Sequence, residues 1–363
     1  MKFLDLQWQQ GSLQPALGEA MARVLASCDF INGAATREFE AAYATYVGAT
    51  HCVGVGNGTD SLEIILEAAG IGAGDEVIVP AMTFAATSEA VLRVGATPII
   101  ADVGNDLVLD DDEVRARLTE RTRAIIPVHL YGFPVDVEGL ASAIGRPGVL
   151  IVEDAAQAHG ATLRGRMVGS LGHAASFSFY PGKTLGAFGD AGAITTSDAA
   201  LAEKARRIAN HGRLGKFDHE LAGRNSRMDS LQGAVLRVKL AHLDSWVTRR
   251  REIADRYLAA WGGLDWLTLP AVPAGGEHGW HLFVLRVGDR ERFRGHLHEA
   301  GVPTGIHYPE SLPELAFHRG TVDESSYPVA VDAAARVVSV PIGEHLTDEE
   351  VAVVIETVLS YAP

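Results

Sequence analysis

The stretch FSFYPGKTLGAFGDAGAI, residues 177–194, places a single lysine, Lys183, in a glycine-rich turn between two apolar segments. The segments SFSFY (176–180) and GAITTS (192–197) are typical of strands, so the turn is predicted to connect two of them. Most lysines are solvated surface charges that need no such surroundings. Whether Lys183 has a chemical role therefore depends on which other groups the chain brings to this turn.

Upstream of the turn, short apolar runs alternate with helical patterns such as SLEIILEAAG, AATSEAVLRVG and DDEVRARLTE. Five more strands are predicted at HCVGVG (51–56), EVIVP (76–80), TPIIADV (97–103), RAIIPVHLYG (123–132) and GVLIVEDAA (148–156). Strands that are apolar throughout and alternate with helices are typical of parallel sheets covered on both faces. We predict an α/β fold with a mainly parallel, seven-stranded sheet.

The pattern changes in the C-terminal third of the chain. A long helical segment is predicted over about 228–261, followed by a strand at 280–287 and helices at 290–301 and 347–362. This order predicts a large domain over 1–245 and a smaller α/β domain over 246–363. An N-terminal helix around 13–25 is expected to pack on the smaller domain.

The composition excludes several classes of partner. The 363 residues are 47% hydrophobic and 21% charged, which is typical of a soluble globular protein. The net charge of -15, with no long basic run, argues against nucleic acid and anionic membranes as partners. Cys28 and Cys52 are too few for a disulfide framework or a cysteine-based zinc site. The N-terminal MKFLDLQWQQ resembles neither a signal peptide nor a membrane span, so we expect a cytoplasmic protein.

Small residues follow the first predicted strand, where parallel sheets commonly bind ligands. Gly56-Asn57-Gly58-Thr59-Asp60 leads directly into a helical pattern. Backbone N–H groups and the positive end of a helix dipole predict a phosphate site there. The same residues could also form a glycine turn with a capping box from Asp60 to Glu63, and the two interpretations are compatible.

Phe84 follows the second predicted strand and Asp154 ends the fifth. An aromatic residue in this position is usually part of the core, but it could also stack on a flat ring. A carboxylate after an apolar strand is costly to bury without a partner, and a protonated ring nitrogen would be a suitable one. The alternative for Asp154 is a helix N-cap.

A phosphate site, a stacking ring, a carboxylate for a pyridinium nitrogen and a lysine are together the requirements of pyridoxal 5'-phosphate. The sequence has no G-x-G-x-x-G fingerprint and no P-loop, which argues against a nicotinamide dehydrogenase. We therefore predict pyridoxal 5'-phosphate as the cofactor.

The sequence resembles the DegT family of sugar-nucleotide aminotransferases, which are fold-type I pyridoxal phosphate enzymes. The resemblance spans nearly the whole chain and is carried by FLDLQWQQ, GNGTDSLEIIL, VPAMTFAAT, PVHLYGFPVD, VEDAAQAHGA, FSFYPGKTLGAFGDAGAI, NHGR, GRNSRMDSLQGAVL, TGIHYP and SVPI.

The resemblance implies roles for the residues around the cofactor ring. Lys183 would hold the cofactor covalently and then act as a general acid and base, while Asp154 would hold the pyridinium nitrogen. Gln157 would lie near the 3-oxygen of the ring, and Phe84 would stack on its face.

The resemblance also implies a phosphate site shared between two subunits. Gly58 and Thr59 would bind phosphate through their backbone and Ser178 through its hydroxyl, whereas Asn225 would reach the phosphate from the partner subunit. We therefore expect a homodimer with active sites at the subunit interface.

Three residues are implied to contact the substrate, namely Tyr180, His307 and Tyr308. The family often carries a histidine in the pattern Y-P-x-P-x-H. Here the sequence is YPESLPELAFH, so the family's contacts in that loop do not transfer to this chain.

The function implied is transfer of an amino group from L-glutamate or L-glutamine to a keto sugar nucleotide, by a ping-pong reaction. The best match is amination at C3 of a dTDP-3-keto-6-deoxyhexose. The alternative is amination at C4 of a dTDP- or UDP-4-keto-6-deoxyhexose, because the motifs are shared and His211-Gly212-Arg213 departs from the 3-keto branch.

Two other classes of protein share this fold, a non-catalytic binding protein and a dehydratase. A non-catalytic binding protein on this fold is possible, since fold does not determine function. Retention of Lys183, Asp154, Gln157 and Ser178 argues against it. A related dehydratase is disfavoured because that branch of the family lacks the lysine.

Overall fold

The strands form three sheets in the computed structural model, which describes residues 1–215 and 217–363. In chain order the strands are β1 (His51–Val55), β2 (Glu76–Pro80), β3 (Thr97–Ala101), β4 (Thr122–Ile125), β5 (Leu150–Asp154), β6 (Thr162–Leu163), β7 (Arg166–Met167), β8 (Ala174–Ser178), β9 (Gly192–Thr196), β10 (Leu267–Thr268), β11 (Gly276–Glu277), β12 (Phe283–Val287) and β13 (Val337–Val340).

Helices surround the sheets. In chain order they are α1 (Leu6–Ser12), α2 (Ala16–Ser27), α3 (Ala34–Val47), α4 (Gly58–Ala68), α5 (Ala86–Arg93), α6 (Asp111–Arg117), α7 (Val137–Ile144), α8 (Ala199–Ala209), α9 (Ser230–Leu240), α10 (Leu243–Trp261), α11 (Arg290–Glu299), α12 (Pro328–Arg336) and α13 (Asp348–Leu359). Short 3-10 turns lie at Leu130–Gly132, Leu312–Glu314 and Glu324–Ser326. Among the described residues, no helix combines the length and apolar character that a membrane crossing requires.

The central sheet has seven strands in the order β1-β9-β8-β5-β4-β2-β3, which confirms the predicted mainly parallel sheet. Only β9 runs antiparallel to its neighbours. The reason lies in the connection, because β8 and β9 are joined without a helix and a chain that turns straight back can only pair antiparallel. This connection is the turn that carries Lys183.

The strands of the central sheet are largely apolar because both faces of the sheet are covered. In β2, Val77 and Val79 pack into one core while Ile78 packs into another on the opposite face. Successive side chains of a strand point to opposite faces, so in a doubly covered strand both sets of side chains are buried.

One predicted strand ends earlier than its sequence pattern, and one predicted helix is divided in two. The strand expected over 123–132 ends at Ile125, although Val128 still forms an isolated bridge with Asp154. The helix expected over 228–261 is two helices, α9 and α10. His242 donates its N–H to the Lys239 carbonyl (2.9 Å), an i→i+3 bond that interrupts the α-helical pattern.

The C-terminal part has its own core. Strands β10, β12 and β13 form an antiparallel sheet, and Phe283 in that sheet packs with Tyr257 and Trp261 of α10. The predicted division at 245/246 falls inside α10. Trp246 and Val247 pack with the large domain, whereas α10 from Ile253 onward packs in the C-terminal core. The division into two domains remains a prediction.

The N-terminal helix does not pack where the sequence suggested. It begins at Ala16, and its Leu17 lies in the same core as Phe39 and Tyr43 of α3. Helix α2 also packs against α9, so its packing is with elements of the predicted large domain. Apolar periodicity shows that a helix has a buried face, but it does not identify the surface that covers that face.

Candidate active site

The turn between β8 and β9 holds Lys183 in a defined backbone position. The Lys183 N–H donates to the Tyr180 carbonyl (2.8 Å). A Cβ at Gly186 would lie 2.4 Å from the carbonyl oxygen of Pro181, so this position has room only for glycine. The glycines that frame Lys183 therefore allow the backbone to fold closely on itself.

Lys183 is half-buried, and its amine interacts electrostatically with Asp154. Burial lowers the pKa of Lys183 to about 8, while the nearby Asp154 carboxylate raises that pKa in part. Burial raises the pKa of Asp154, and a hydrogen bond from the Thr87 hydroxyl (2.9 Å) opposes this change. The structure thus brings together the two residues on which the sequence prediction depended.

Asp154 is not a helix cap, so that alternative is wrong. It is the last residue of β5, and turns follow it rather than a helix. Its neighbour Glu153 faces the opposite side of the strand, where it accepts hydrogen bonds from Gly169 N–H (2.9 Å) and Leu171 N–H (2.8 Å) and pairs with His129 (3.0 Å). Of the two adjacent carboxylates, Glu153 holds the loop and Asp154 faces Lys183.

The N-terminus of α4 packs against the end of β8, the strand that leads into the turn with Lys183. The helix begins at Gly58, and its cap is Asn57, whose side chain accepts the N–H of Asp60 (2.8 Å). The predicted capping box from Asp60 to Glu63 is therefore wrong. The N–H groups of Gly58 and Thr59 lie in the first turn, where a helix has no backbone partner for them.

Close packing brings Ser178 to this helix terminus. A Cβ at Gly58 would lie 2.8 Å from Cβ of Ser178, and a Cβ at Gly192 would lie 2.4 Å from the carbonyl carbon of Asn57. The ends of β8 and β9 thus contact the first turn of α4. Backbone N–H groups, a helix N-terminus and a hydroxyl together form a site suited to a phosphate group.

Gln157 joins two segments at the mouth of the site. Its Oε1 accepts the N–H of Tyr131 (2.8 Å), and its Nε2 donates to the hydroxyl of Tyr308 (3.0 Å). The Tyr131 hydroxyl in turn donates to the His307 carbonyl. Sequence reasoning missed Tyr131, which lies in the motif PVHLYGFPVD and adopts a positive φ of 59°. Gln157 therefore connects the backbone of Tyr131 to the side chain of Tyr308.

Two aromatic side chains remain accessible. Phe84 is 54% exposed and Tyr180 is 59% exposed, although both follow buried strands. The ring centroid of Phe84 lies 5.5 Å from that of Tyr308. Phe84 is thus not a core residue, and its ring is available to a ligand.

His307 is half-buried between the N-terminal segment and the C-terminal sheet. Its ring stacks with Phe3 at 6.1 Å, and its Nδ1 lies 2.8 Å from the Ser339 hydroxyl. Burial lowers the pKa of His307 to about 4, and Lys183 contributes to the decrease. The imidazole is therefore neutral at physiological pH.

Asn225 lies apart from the turn, beside α4. It is exposed, pairs through its backbone with Asn210, and lines an open groove with Asp60 and Glu63. The adjacent Ser226 accepts the N–H of Gly56 (3.0 Å). The role of Asn225 in a second subunit remains a prediction.

Comparison with known proteins shows that the protein is an aminotransferase. Residues 13–359 match the model of the DegT/DnrJ/EryC1/StrS aminotransferase family, and the chain belongs to this family. The resemblance that the motifs indicated is thereby confirmed.

Two relatives and one solved structure resemble nearly the whole chain. The erythromycin biosynthesis sensory transduction protein EryC1 of Saccharopolyspora erythraea is 47% identical over 98% of both chains. The dTDP-3-amino-3,4,6-trideoxy-alpha-D-glucose transaminase of Streptomyces venezuelae is 44% identical over 99% of this chain and 96% of the relative. The crystal structure of S. venezuelae DesV in complex with a ketimine intermediate has a TM-score of 0.96 and 45% identity, over 98% of this chain and 97% of that one. This likeness confirms the predicted aminotransferase fold.

Proposed function

We propose that this aminotransferase binds pyridoxal 5'-phosphate at Lys183 and transfers an amino group to the keto group of a nucleotide-linked sugar. The observation that carries the proposal is the pair formed by Lys183 and Asp154. The amine of Lys183 has a lowered pKa and interacts with the buried carboxylate of Asp154. The N-terminus of α4, which is suited to phosphate, packs against the end of β8, the strand that leads to Lys183. Membership of an aminotransferase family supports the same assignment.

The residues around this pair fit the cofactor. Lys183 would attach it, Asp154 would hold its ring nitrogen, and Phe84 would cover its ring. Gln157 has a second N–H on Nε2 that could reach the 3-oxygen while the first donates to Tyr308. The phosphate would be bound by Gly58, Thr59 and Ser178, with Asn225 supplied by a partner subunit.

The bound cofactor would act as an electron sink for the reacting carbon. Lys183 would move a proton from the α-carbon of the amino donor, L-glutamate or L-glutamine, to C4' of the cofactor in the first half-reaction. In the second half-reaction it would move a proton from C4' to the sugar carbon that receives the amine. The lowered pKa of its amine suits this task near neutral pH. Asp154 would keep the ring nitrogen protonated, because a carboxylate favours a nearby positive charge.

For the sugar, we propose amination at C3 of a dTDP-3-keto-6-deoxyhexose. Support comes from the S. venezuelae relative, whose name specifies a dTDP-linked sugar with an amine at C3. Tyr180, His307 and Tyr308 would contact the sugar, and the exposed ring of Tyr180 is available for that contact. Amination at C4 of a 4-keto sugar is the alternative.

We also propose a homodimer in the cytoplasm. Leu25, Phe30 and Ile31 expose 42% to 56% of their surface close together in sequence, and Leu214 exposes 46%. Clustered exposed apolar side chains are typical of protein interfaces. Leu214 lines a groove together with Asn32, so this surface extends to the segment that precedes Asn225.

Spectroscopy and product analysis test the proposal. The protein purified with pyridoxal phosphate should be yellow, and the colour should bleach on addition of L-glutamate. Lys183→Ala should show neither the yellow colour nor its bleaching, and no turnover, while keeping its fold by circular dichroism.

Incubation of the wild type with 3-keto and 4-keto dTDP sugars, followed by NMR, should give an amine at C3. Transamination by Lys183→Ala would overturn the site assignment, and an amine at C4 alone would overturn the choice of carbon.

A further inference from the structure

Helix α9 binds the turn that carries Lys183, defined here as the Lys183 turn (residues 181–189). Gln232 accepts the N–H of Phe188 (2.8 Å). Lys239, two turns further along the helix, donates from Nζ to the Gly186 carbonyl (2.6 Å). The same ammonium lies 4.9 Å from the ring centroid of Phe188. One helix therefore contacts the turn at residues 186 and 188.

The ammonium of Lys239 is buried, with 1% of the residue exposed. A third partner completes its surroundings, because Nζ also donates to Oε1 of Gln9 (2.7 Å). An ammonium has three N–H donors, and two oxygens and one aromatic face account for them. Burying such a group is costly unless its hydrogen bonds are made, and an apolar side chain would suffice for packing alone. The hydrogen bonds of Lys239 are therefore its specific contribution.

Gln9 extends this contact to the C-terminal part of the chain. Its Nε2 donates to Oε1 of Glu344 (3.0 Å), and Oε2 of Glu344 accepts from Nε of Arg250 (3.0 Å). Nη1 of Arg250 donates to three backbone carbonyls of the C-terminal part, those of Trp280 (3.1 Å), His281 (3.2 Å) and Ile342 (3.2 Å). We call Lys239, Gln9, Glu344 and Arg250 the Lys239 network.

The Lys239 network connects the two sides of the candidate active site. Lys239 binds the Lys183 turn. Glu344 lies in the segment that follows β13, and Arg250 binds both Glu344 and the Ile342 carbonyl of that segment. The backbone of Gly305, two residues before His307, pairs with Ser339 in β13. The network thus links the residue proposed for proton transfer to the segment that carries His307 and Tyr308. Its four members are distinct from the residues proposed to hold cofactor or sugar.

We infer that Lys239 and Gln9 are positioning residues, which hold the Lys183 turn in a set place relative to the C-terminal segment. Proton transfer requires reacting groups to be held to within a fraction of an ångström. The consequence for turnover rests on the proposed function, whereas the consequence for the turn itself does not.

Hydrogen exchange tests the effect on the turn. Lys239→Met keeps the length and apolar stem of the side chain but removes the donors. In the full-length protein, with and without pyridoxal phosphate, amides of the Lys183 turn should exchange about tenfold faster in this variant, as expected when one buried hydrogen bond is lost. Arg237→Met, which removes an exposed cation from the same helix, is the matched control and should exchange like the wild type.

A second variant separates the bond between Lys239 and Gly186 from the connection between Gln9 and Glu344. Gln9→Leu leaves the bond from Lys239 to Gly186 in place but removes the connection to Glu344. It should accelerate exchange less than Lys239→Met does. The double variant should resemble Lys239→Met alone, because residues that act through one another give non-additive effects. In Lys239→Met kcat should fall about tenfold with KM for the amino donor unchanged, the pattern of a misplaced reacting group rather than of lost substrate binding. In Gln9→Leu kcat should fall by less, again with KM unchanged.

Wild-type exchange in the Lys183 turn of both variants, with only a lower melting temperature, would overturn the inference and leave Lys239 with a merely structural role. If Lys239→Met fails to fold, exchange in Gln9→Leu decides between the same two outcomes. A wild-type protein without transaminase activity would overturn the proposed function, yet the exchange measurements would still decide whether the network holds the turn.

Discussion

Burial favours the neutral form of the Lys183 amine at moderate pH. Burial lowers its pKa from 10.5 to about 8, and Asp154 only partly restores it. Between these two pH values the amine is neutral in the folded protein, whereas a solvated lysine would still be protonated. This difference is a property of one residue and can be measured without a sugar substrate.

We predict that the cofactor-free protein captures pyridoxal phosphate at Lys183 at a rate that rises with pH to a midpoint near 8. The reason is that only the neutral amine attacks an aldehyde. Borohydride trapping at each pH, followed by peptide mass spectrometry, gives the rate at this residue. A midpoint close to 10.5 would contradict the electrostatic description of the site.

Asp154→Asn should bind pyridoxal phosphate but lose activity by about a hundredfold or more, because a neutral amide stabilises a protonated ring nitrogen far less than a carboxylate does. Titration of the cofactor absorbance and steady-state kinetics separate the two effects. Asp255→Asn, at an exposed position on α10, is a suitable control. Wild-type turnover in Asp154→Asn would mean that the carboxylate acts only on the local fold.

At the scale of elements, the antiparallel strand β9 and the first turn of α4 create the site. The turn back from β8 to β9 carries Lys183 to the strand ends, and the lack of side chains at Gly58 and Gly192 allows α4 to approach these strands. A parallel arrangement would require a long crossover and would move the lysine away from the helix terminus.

Gly58→Ala is therefore expected to weaken cofactor binding about tenfold while the protein still folds, because the added Cβ would displace Ser178 and the helix terminus from the phosphate site. Fluorescence titration with pyridoxal phosphate measures the affinity. Gly295→Ala on α11, where a Cβ would meet no atom within 4 Å, should leave affinity unchanged. Equal affinities in the two variants would show that the phosphate is bound elsewhere.

At the scale of the whole molecule, the question is whether one chain contains a complete site. Asn225 lies beside α4 on an exposed segment rather than at the Lys183 turn. Exposed apolar side chains at Phe30 and Ile31 lie near the start of α9, because Ser230 N–H donates to the carbonyl of Phe30 (2.8 Å). A second copy of the chain on this surface would bring another Asn225 segment into the assembly.

Coexpression of a Lys183→Ala chain with an Asn225→Ala chain should restore activity to about a quarter of the wild-type level for random pairing, since a mixed dimer has one intact site and one doubly defective site. Each variant alone should be nearly inactive. Sedimentation analysis should show a dimer. A mixture no more active than its parents, or an active monomer, would refute the shared site.

The sequence by itself determined the succession of the seven central strands along the chain and the position of the Lys183 turn, and it predicted Lys183 and Asp154 as partners. These features follow from local apolar patterns and from the rule that parallel strands present their carboxyl ends at one edge. The family motifs led to the aminotransferase assignment for the same reason, because each motif is continuous in the chain.

Only the tertiary structure decided which distant residues meet. The packing of α2 against α9, the bridge from Gln157 to Tyr308, and the contacts from Lys239 to Gln9 and Gly186 join residues that are far apart in the chain. A hydrogen bond between distant polar groups leaves no periodic signal, since it depends on how the elements pack rather than on the residues beside each partner. The choice of the N-cap of α4 also depended on packing. Asn57 and Asp60 are both good cap residues, and Asn57 is the cap in the structure, where Gly58 packs closely against Ser178.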